Sequence, residues 1–412
     1  MKYVVDKQIV LAETPEGPIA THISAFAKFV GEQGYSQYSI HMRVLIAAGF
    51  SRWLKKRGIR LRSITSEHLS QYLCYRARLV QPRQGDTAAL SQLLKYLRDI
   101  GAIQTDKKPV LRLTPAERCT QAYTKYLRED RALNEKTIIK YIPFIRDFLR
   151  AKFGNGPVKL SLLNARDVVG FVQRRAPRLH LTCAKSMSSA LRSFLKYIRY
   201  LGEIELDLAA AVPTVANWSM PSIPRAISPD QVRLFLASID RQTAIGCRDY
   251  AILLLLARLG LRSSEVAFLE LDDIDWTTGI MRVRSKGGLH NEFPLPPDVG
   301  NAIATYLQYG RPKISCRRVF LRANAPIQGF RGSNSVSCIV RHNLERAGID
   351  APTFGAHQFR HGLATEMLRQ GASLGEIGDV LGHRHPKTTM IYTKVGLEAL
   401  RTLALPWPGG VR

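Results

Sequence analysis

Apolar residues recur every three or four positions through most of the first two hundred residues, the spacing that lays a single stripe along a helix. Ile138, Ile142, Ile145, Phe148 and Leu149 form one such stripe. Pro143 falls inside it; a proline has no N–H to donate and crowds the preceding turn, so this helix is expected to kink there or to begin later than the stripe suggests. The stripes also repeat. Leu90–Ile103 (LSQLLKYLRDIGAI) and Leu191–Ile204 (LRSFLKYIRYLGEI) share Leu94/Leu195, Lys95/Lys196, Tyr96/Tyr197, Arg98/Arg199, Gly101/Gly202 and Ile103/Ile204 at a constant offset of 101. Upstream, Ser39-Ile40 leading to Phe50 matches Thr137-Ile138 leading to Phe148, and Ile64-Thr65…Leu69 matches Leu163-Asn164…Val168. Two copies of so long a period do not make a solenoid. They predict two tandem small helical domains, 20–105 and 114–205, behind an N-terminal extension of residues 1–19.

The pattern then breaks. DLAAAVPTVANWSMPSIPRA carries Pro213, Pro221 and Pro224 and predicts a linker over 206–226. Ser228-Pro229-Asp230 opens a helix, with Ser228 as N-cap and Pro229 at the first helical position. From 227 to 412 the spacing predicts helices at 231–239, 247–259 and 263–269, then strands at 280–283 and 291–295 around the turn Ser285-Lys286-Gly287-Gly288. Helices follow at 299–309, 335–347, 357–370, 374–381 and 396–403. The fold class is mainly α, an α+β chain: two tandem helical domains, then a mixed α/β domain with one small antiparallel sheet.

Charge narrows the function. The 412 residues hold 60 Lys+Arg against 33 Asp+Glu, a formal charge of +27. Such an excess implies a polyanionic partner, most often nucleic acid, because each cation docked on a phosphate releases counterions. With 45% apolar residues the chain is folded rather than a basic tail. Cys74, Cys119, Cys183, Cys247, Cys316 and Cys338 are scattered without a CxxC pair, which favours a reducing compartment over a disulfide framework or a zinc ribbon. The longest apolar run, Tyr250–Ala257, is far short of the ~20 residues that span a bilayer. The N-terminus has no signal-peptide stretch, so neither a membrane protein nor a secreted one is expected. Basic stretches fall in both helical copies: Arg52, Lys55, Lys56 and Arg57 in the first, and Arg146, Arg150, Arg174 and Arg175 in the second. A single run of this kind is as readily a solvated face; its repetition on two related domains points to phosphate contacts.

Three segments of the last domain combine reactive side chains with turn signals. In LGLRSSEV, Gly260 ends a helix and Arg262 sits before the next, where a guanidinium and a helix N-terminus would both favour an oxyanion; alone, such a residue is more often a structural Arg beside Glu265. In HQFRHG, His357 and Arg360 share a helix face. His357 and His361 stand four apart like the histidines of HExxH, but Gln358 replaces the glutamate and Arg360 would put a cation beside the metal, so no metal is expected. In LGHRHPKTTMIYT, Gly382 closes a helix, Pro386 turns the chain into a short one, and Tyr392 ends it nine residues after His383. A tyrosine in such a place is by itself most often a half-buried core residue.

Taken together, GLRSSEV, the Lys286 hairpin, HQFRHGLAT and LGHRHPKTTMIYT resemble the tyrosine recombinase (phage integrase) family, whose signature runs Arg…Lys…His-x-x-Arg…His/Trp…Tyr. The likeness spans the last domain and extends to the second helical repeat, which resembles the family's SAM-like core-binding domain. The first repeat departs from the simplest members. The resemblance implies that Tyr392 attacks a scissile phosphate to give a 3′-phosphotyrosine and a free 5′-hydroxyl, with His357 taking the proton and His383 positioning the phosphate. Arg262 and Arg360 would neutralise the non-bridging oxygens, Lys286 would protonate the leaving oxygen, and Glu265 would orient Arg262 or His357. Two guanidiniums then do the charge work of a metal, and no cofactor is expected. The implied partners are double-stranded DNA, clamped between a helical domain and the catalytic one, and three further copies of the chain in a tetramer on paired sites, or related recombinases in a mixed assembly. The amphipathic segment 396–405 would dock on a neighbouring protomer. The implied location is the bacterial cytoplasm, on the nucleoid. The pattern serves phage, transposon, integron and chromosome-dimer systems alike. A type IB topoisomerase and a silent accessory subunit of the same fold are the competing readings; six chemically competent positions weigh against the second.

Overall fold

The computed structural model describes residues 3–5, 9–11, 14–105, 113–215, 226–284, 290–383 and 385–394. An antiparallel hairpin, β1 (Tyr3–Val5) and β2 (Ile9–Leu11), opens the chain where only an extension was expected. Four helices of the first repeat follow: α1 (Ile23–Glu32), α2 (Gln37–Lys56), α3 (Ser66–Ala77) and α4 (Asp86–Asp99). The second repeat has α5 (Pro115–Glu129), α6 (Glu135–Phe153), α7 (Ala165–Arg175) and α8 (Leu181–Tyr200).

The likeness of the repeats is physical as well as textual. Short polar residues start the paired helices: Ser36 caps α2 and Asn134 caps α6, while Thr65 with His68 and Asn164 with Asp167 form reciprocal boxes at α3 and α7. Matching apolar positions are buried in both, including Ile40 and Ile138, Phe50 and Phe148, and Leu94 and Leu195. Pro143 does not delay or divide its helix. Helix α6 begins at Glu135 on its Asn134 cap and runs on to Phe153, because Pro143 lies on the exposed face while Ile138, Ile145, Phe148 and Leu149 hold the other face in the core. The head of the expected linker is also packed: Leu208, Ala209 and Val212 are buried in the second helical core, and Arg192 donates to the Val212 carbonyl at 2.9 Å. Residues 216–225 of that linker lie outside the described residues.

The chain falls into two compact units, residues 107–221 and a second unit made of 1–106 with 222–412. In the latter, the Ile327 N–H donates to the Gln33 carbonyl at 2.9 Å and ties the first repeat to the last region. That region contains α9 (Pro229–Ala237), α10 (Ala244–Arg258), α11 (Ser263–Phe268), β3 (Ile274–Asp275), β4 (Ile280–Arg284), β5 (His290–Pro294), α12 (Pro297–Thr305), α13 (Ser333–Ala347), α14 (His357–Arg369), α15 (Leu374–Val380) and α16 (Pro386–Thr389). The sheet is three-stranded and antiparallel in the order β3-β4-β5, with Ile274 against Met281 and Met281 against Phe293. Strand β3 escapes prediction because two residues are too few to show an alternation.

Helix α10 is the hub. Its run Ala251–Leu256 is buried on every face, which explains why the sequence there lacks a polar stripe. Each leucine in it contributes roughly 1.5–3 kcal/mol by leaving water. One charged pair shares this core: Arg248 donates to Asp249 at 2.7 Å, and Asn343 of α13 donates to the same carboxylate at 3.1 Å, so the buried charges are satisfied and pin α13 to α10. Among the described residues no helix is long and apolar enough to cross a membrane.

Candidate active site

Two glycines that end helices set the geometry. Gly260, after α10, has φ +59°, and a Cβ there would stand 3.0 Å from both Leu363 and Leu381. Gly382, after α15, has φ +59°, and a Cβ there would meet Asn291 Nδ2 at 2.2 Å. Only glycine fits both the left-handed turn and the close approach. The carbonyls exposed by these turns then aim the arginines. The buried Arg360 of α14 donates to the Gly260 carbonyl at 2.7 Å and to the Leu381 carbonyl. Arg262, the N-cap of α11, donates to the Gly382 carbonyl at 3.3 Å. Glu265 fixes Arg262 twice: one carboxylate oxygen accepts from its backbone N–H and the other from its guanidinium, each at 2.8 Å. This carboxylate is itself buried, so it balances one of the two cations and leaves the pocket positive.

The imidazoles answer to that field. Burial, then the proximity of Arg262, brings Arg360 down to about 10, still protonated at neutral pH. His383 is lowered to about 4 by burial and by Arg360 and Arg262, and its Nδ1 rests 2.8 Å from the buried Thr389 Oγ1. His361 is lowered by burial, then by His357 and Arg360. His357 presents an exposed edge, yet the protein around the rest of its ring and the two arginines lower it as well. All three are therefore neutral acceptors or donors at pH 7 rather than cations.

Tyr392 sits in a tight 3₁₀ turn, Met390–Lys394, directly after α16. Its ring is 1% exposed, packed with Ala364, Ile377 and Leu381. The His383 ring lies parallel to it within 7°, centroids 6.5 Å apart. The phenol oxygen is 3.0 Å from His361 Nδ1, and the His357 ring is 6.3 Å beyond that of His361. Burial raises the phenol's pKa while Arg360 and Arg262 pull against it, so the hydroxyl keeps its proton at rest.

Arg262, Glu265, His357, Arg360, His383 and Tyr392 thus share one pocket within one chain. Lys286 and the segment 396–405 lie outside the described residues; β4 and β5 are described up to Arg284 and from His290. Two members escaped the sequence reading. His361 was weighed only as half of a metal-like pair, although its place four residues after His357 already set it beside that ring. Thr389 carried no signal. Among the described residues no three His, Cys, Asp or Glu side chains gather as a metal site.

Arg52, Lys55, Lys56 and Arg57 are exposed at the end of α2, with Lys55 paired to Glu16 at 2.8 Å and Arg57 stacked over Trp53 at 4.6 Å. Arg150, Arg174 and Arg175 line a cleft between α6 and α7, where Arg175 meets Asp147 at 2.7 Å; Arg146 is half-buried on α6.

Known proteins match this layout. The phage integrase family profile covers residues 225–398, and the profile of the phage integrase N-terminal SAM-like domain covers 120–200; the first repeat lies outside both matches. A Sinorhizobium fredii protein named as an integrase/recombinase, y4rA, is 56% identical over 409 residues, 99% of each chain. Tyrosine recombinase XerD of Mycobacterium tuberculosis is 31% identical over 308 residues, 70% of this chain and 96% of its own. The XerH site-specific recombinase, in a post-cleavage complex with palindromic difH, shares the fold at TM-score 0.55 and 17% identity over 72% of this chain and 98% of its own. The chain belongs to the phage integrase family, the tyrosine recombinases, which cleave and rejoin DNA strands.

Proposed function

We propose that this chain recombines double-stranded DNA at specific sites through the Tyr392 hydroxyl. The observation that carries the reading is the phenol's own surroundings: a neutral imidazole at 3.0 Å and two fixed guanidiniums, all from the same chain. The Tyr392 oxygen attacks the scissile phosphorus as its proton leaves for the imidazole side, where His361 is the ring in contact and His357 the next one out. A P–O bond forms to the tyrosine, the P–O5′ bond breaks, and Lys286 supplies the proton that leaves a free 5′-hydroxyl. Arg262 and Arg360 hold the non-bridging oxygens with forked donors in a site poor in water, where such charge is worth most. His383, fixed by Thr389, positions the phosphate; Glu265 keeps Arg262 in place. The bond energy is stored in the phosphotyrosine, so an incoming 5′-hydroxyl reseals the strand without ATP.

Around this centre, residues 227–412 form the catalytic domain, and the helical domains 20–105 and 114–205 bind DNA through Arg52, Lys55, Lys56, Arg57, Arg146, Arg150, Arg174 and Arg175. Exchange needs two sites, hence a tetramer, of this chain alone or with related recombinases, in which segment 396–405 docks on a neighbour. A bacterial, nucleoid-bound location follows from that substrate.

The test is a nicked suicide duplex incubated with the protein in EDTA. A covalent adduct that forms in the wild type and disappears in Tyr392→Phe, a loss of roughly 10³-fold or more, is the expected result. Tight binding without adduct would make the chain an accessory subunit. Relaxation of supercoils without exchange between sites would make it a topoisomerase.

A further inference from the structure

Both helical repeats carry a cleft in the same place, between their second and third helices. In the second repeat it is lined by Asp147, Arg150, Phe171, Arg174, Arg175 and Arg178. In the first it is lined by Gly49, Arg52, Lys56, Tyr72, Tyr75 and Arg76, with Trp53 beneath. The alignment of the repeats places Gly49 on Asp147, Arg52 on Arg150, Tyr72 on Phe171 and Arg76 on Arg175. Four arginines and one carboxylate in one cleft, against three cations and no carboxylate in the other, leave the same net charge on two linings that otherwise differ.

The two differences at the floor belong together. A Cβ at Gly49 would stand 2.6 Å from the Tyr72 hydroxyl, so that hydroxyl fills the space given in the second repeat to the Asp147 side chain. Where Asp147 holds Arg175 at 2.7 Å, Arg76 instead reaches Asp86 at 3.4 Å, a looser pairing from beside the cleft. An acidic floor has become a hydroxyl donor: burial raises the Tyr72 pKa, and Asp86 adds to it while Arg76 and Arg52 pull against it, so the hydroxyl keeps its proton to donate. Asp86 competes on the Arg76 side, and Glu16, held by Lys55 at 2.8 Å, competes on the Arg52 side.

We propose that the first repeat is a second grip on duplex DNA, in which Arg52, Arg76, Lys56 and the Tyr72 hydroxyl hold a backbone phosphate in the α2–α3 cleft. This rests on the reading of the chain as a DNA recombinase. It adds a contact outside both regions that match the family profiles. The cleft offers forked guanidinium donors to an anion, and its deeper rings Trp53 and Tyr72 are too buried to stack on bases, so the contact reads backbone rather than sequence.

Fluorescence anisotropy of the full-length protein on a long duplex of arbitrary sequence, across a KCl series, tests it. Arg52→Ala with Lys56→Ala should lower the slope of log affinity against log salt by about 0.9, one phosphate contact's worth. Tyr72→Phe, a residue the second repeat already carries at this position, should weaken binding about threefold. Glu16→Gln should tighten it about twofold, since it removes a competing acid. Opposite signs within one cleft exclude unfolding as the cause. An unchanged slope in the double variant overturns the grip even where the Tyr392 adduct forms. A lowered slope with no adduct leaves the grip standing and sinks the recombinase reading instead.

Discussion

Arg360 and Arg175 carry the same guanidinium into opposite surroundings. Arg360 is 5% exposed, with donors taken up by the carbonyls of Gly260 and Leu381. The Arg175 side chain is 44% exposed and tied by one ion pair to Asp147. Buried, the charge is undiluted by water and its plane is held, so its effect depends on direction. Exposed, it is screened by salt and exchanges partners freely; pairs like this are worth about 0–1 kcal/mol. A change in the pocket should therefore alter chemistry at constant affinity, and a change in a cleft should alter affinity at constant chemistry.

The sharpest way to break that contrast is Arg360→Lys. Lysine keeps the charge but cannot bridge two carbonyls and still present a fork to a phosphate. Single-turnover cleavage should fall by about 10²–10³-fold, the scale of losing one fixed oxyanion donor. Binding of the same duplex should stay within about twofold, because one screened charge remains. Equal losses in both measurements would place Arg360 among the binding residues and erase the distinction between the regions.

His361 offers a second cut, this time through pH. Its pKa lies below the ordinary 6.5, since burial and then His357 and Arg360 disfavour its cation. Acceptance of the Tyr392 proton needs the neutral ring, so activity is lost only as pH falls through the lowered pKa. The acid limb of the cleavage profile should thus lie below pH 6.5, and His361→Gln should reduce the plateau about a hundredfold. A plateau untouched by His361→Gln would remove this ring from the proton path and leave His357 as the acceptor, whereas an acid limb above 6.5 would exclude both rings, since His357 is lowered too.

What the sequence disclosed followed from how local each signal is. Helical periodicity, the Ser228 cap and the turns at Gly260, Gly382 and Pro386 act within a few residues, so the α+β class and most elements of the last domain were legible. The family pattern named Arg262, His357, Arg360, His383 and Tyr392, which the fold gathers in one pocket. The contact of His361 with Tyr392 spans 31 residues and is made by the packing of α14 against the turn after α16, which spacing does not encode. Leu208 and Val212 hid in an Ala- and Pro-rich stretch that looked like linker. Neither cleft was visible as such, because each needs two helices side by side before scattered arginines become a lining.

A smaller effect than at Arg360 or His361 is expected in the second cleft, and it confines the comparison to charge alone. Arg150 is paired to Glu117 at 2.9 Å with its side chain 43% exposed, and Arg174 lies exposed on α7, so replacing both with alanine removes cations without opening the core. Stability should change little, as for other exposed pairs. Two phosphate contacts should be lost: the salt slope falls by about 1.8 and affinity near physiological salt by about tenfold. Single-turnover cleavage at saturating duplex should stay within about twofold, because exposed, screened charge fixes no orientation at a scissile phosphate. Should cleavage at saturation fall as far as affinity does, the exposed arginines would be setting the scissile phosphate's position, and the division between a buried chemistry and an additive grip would have to be drawn elsewhere.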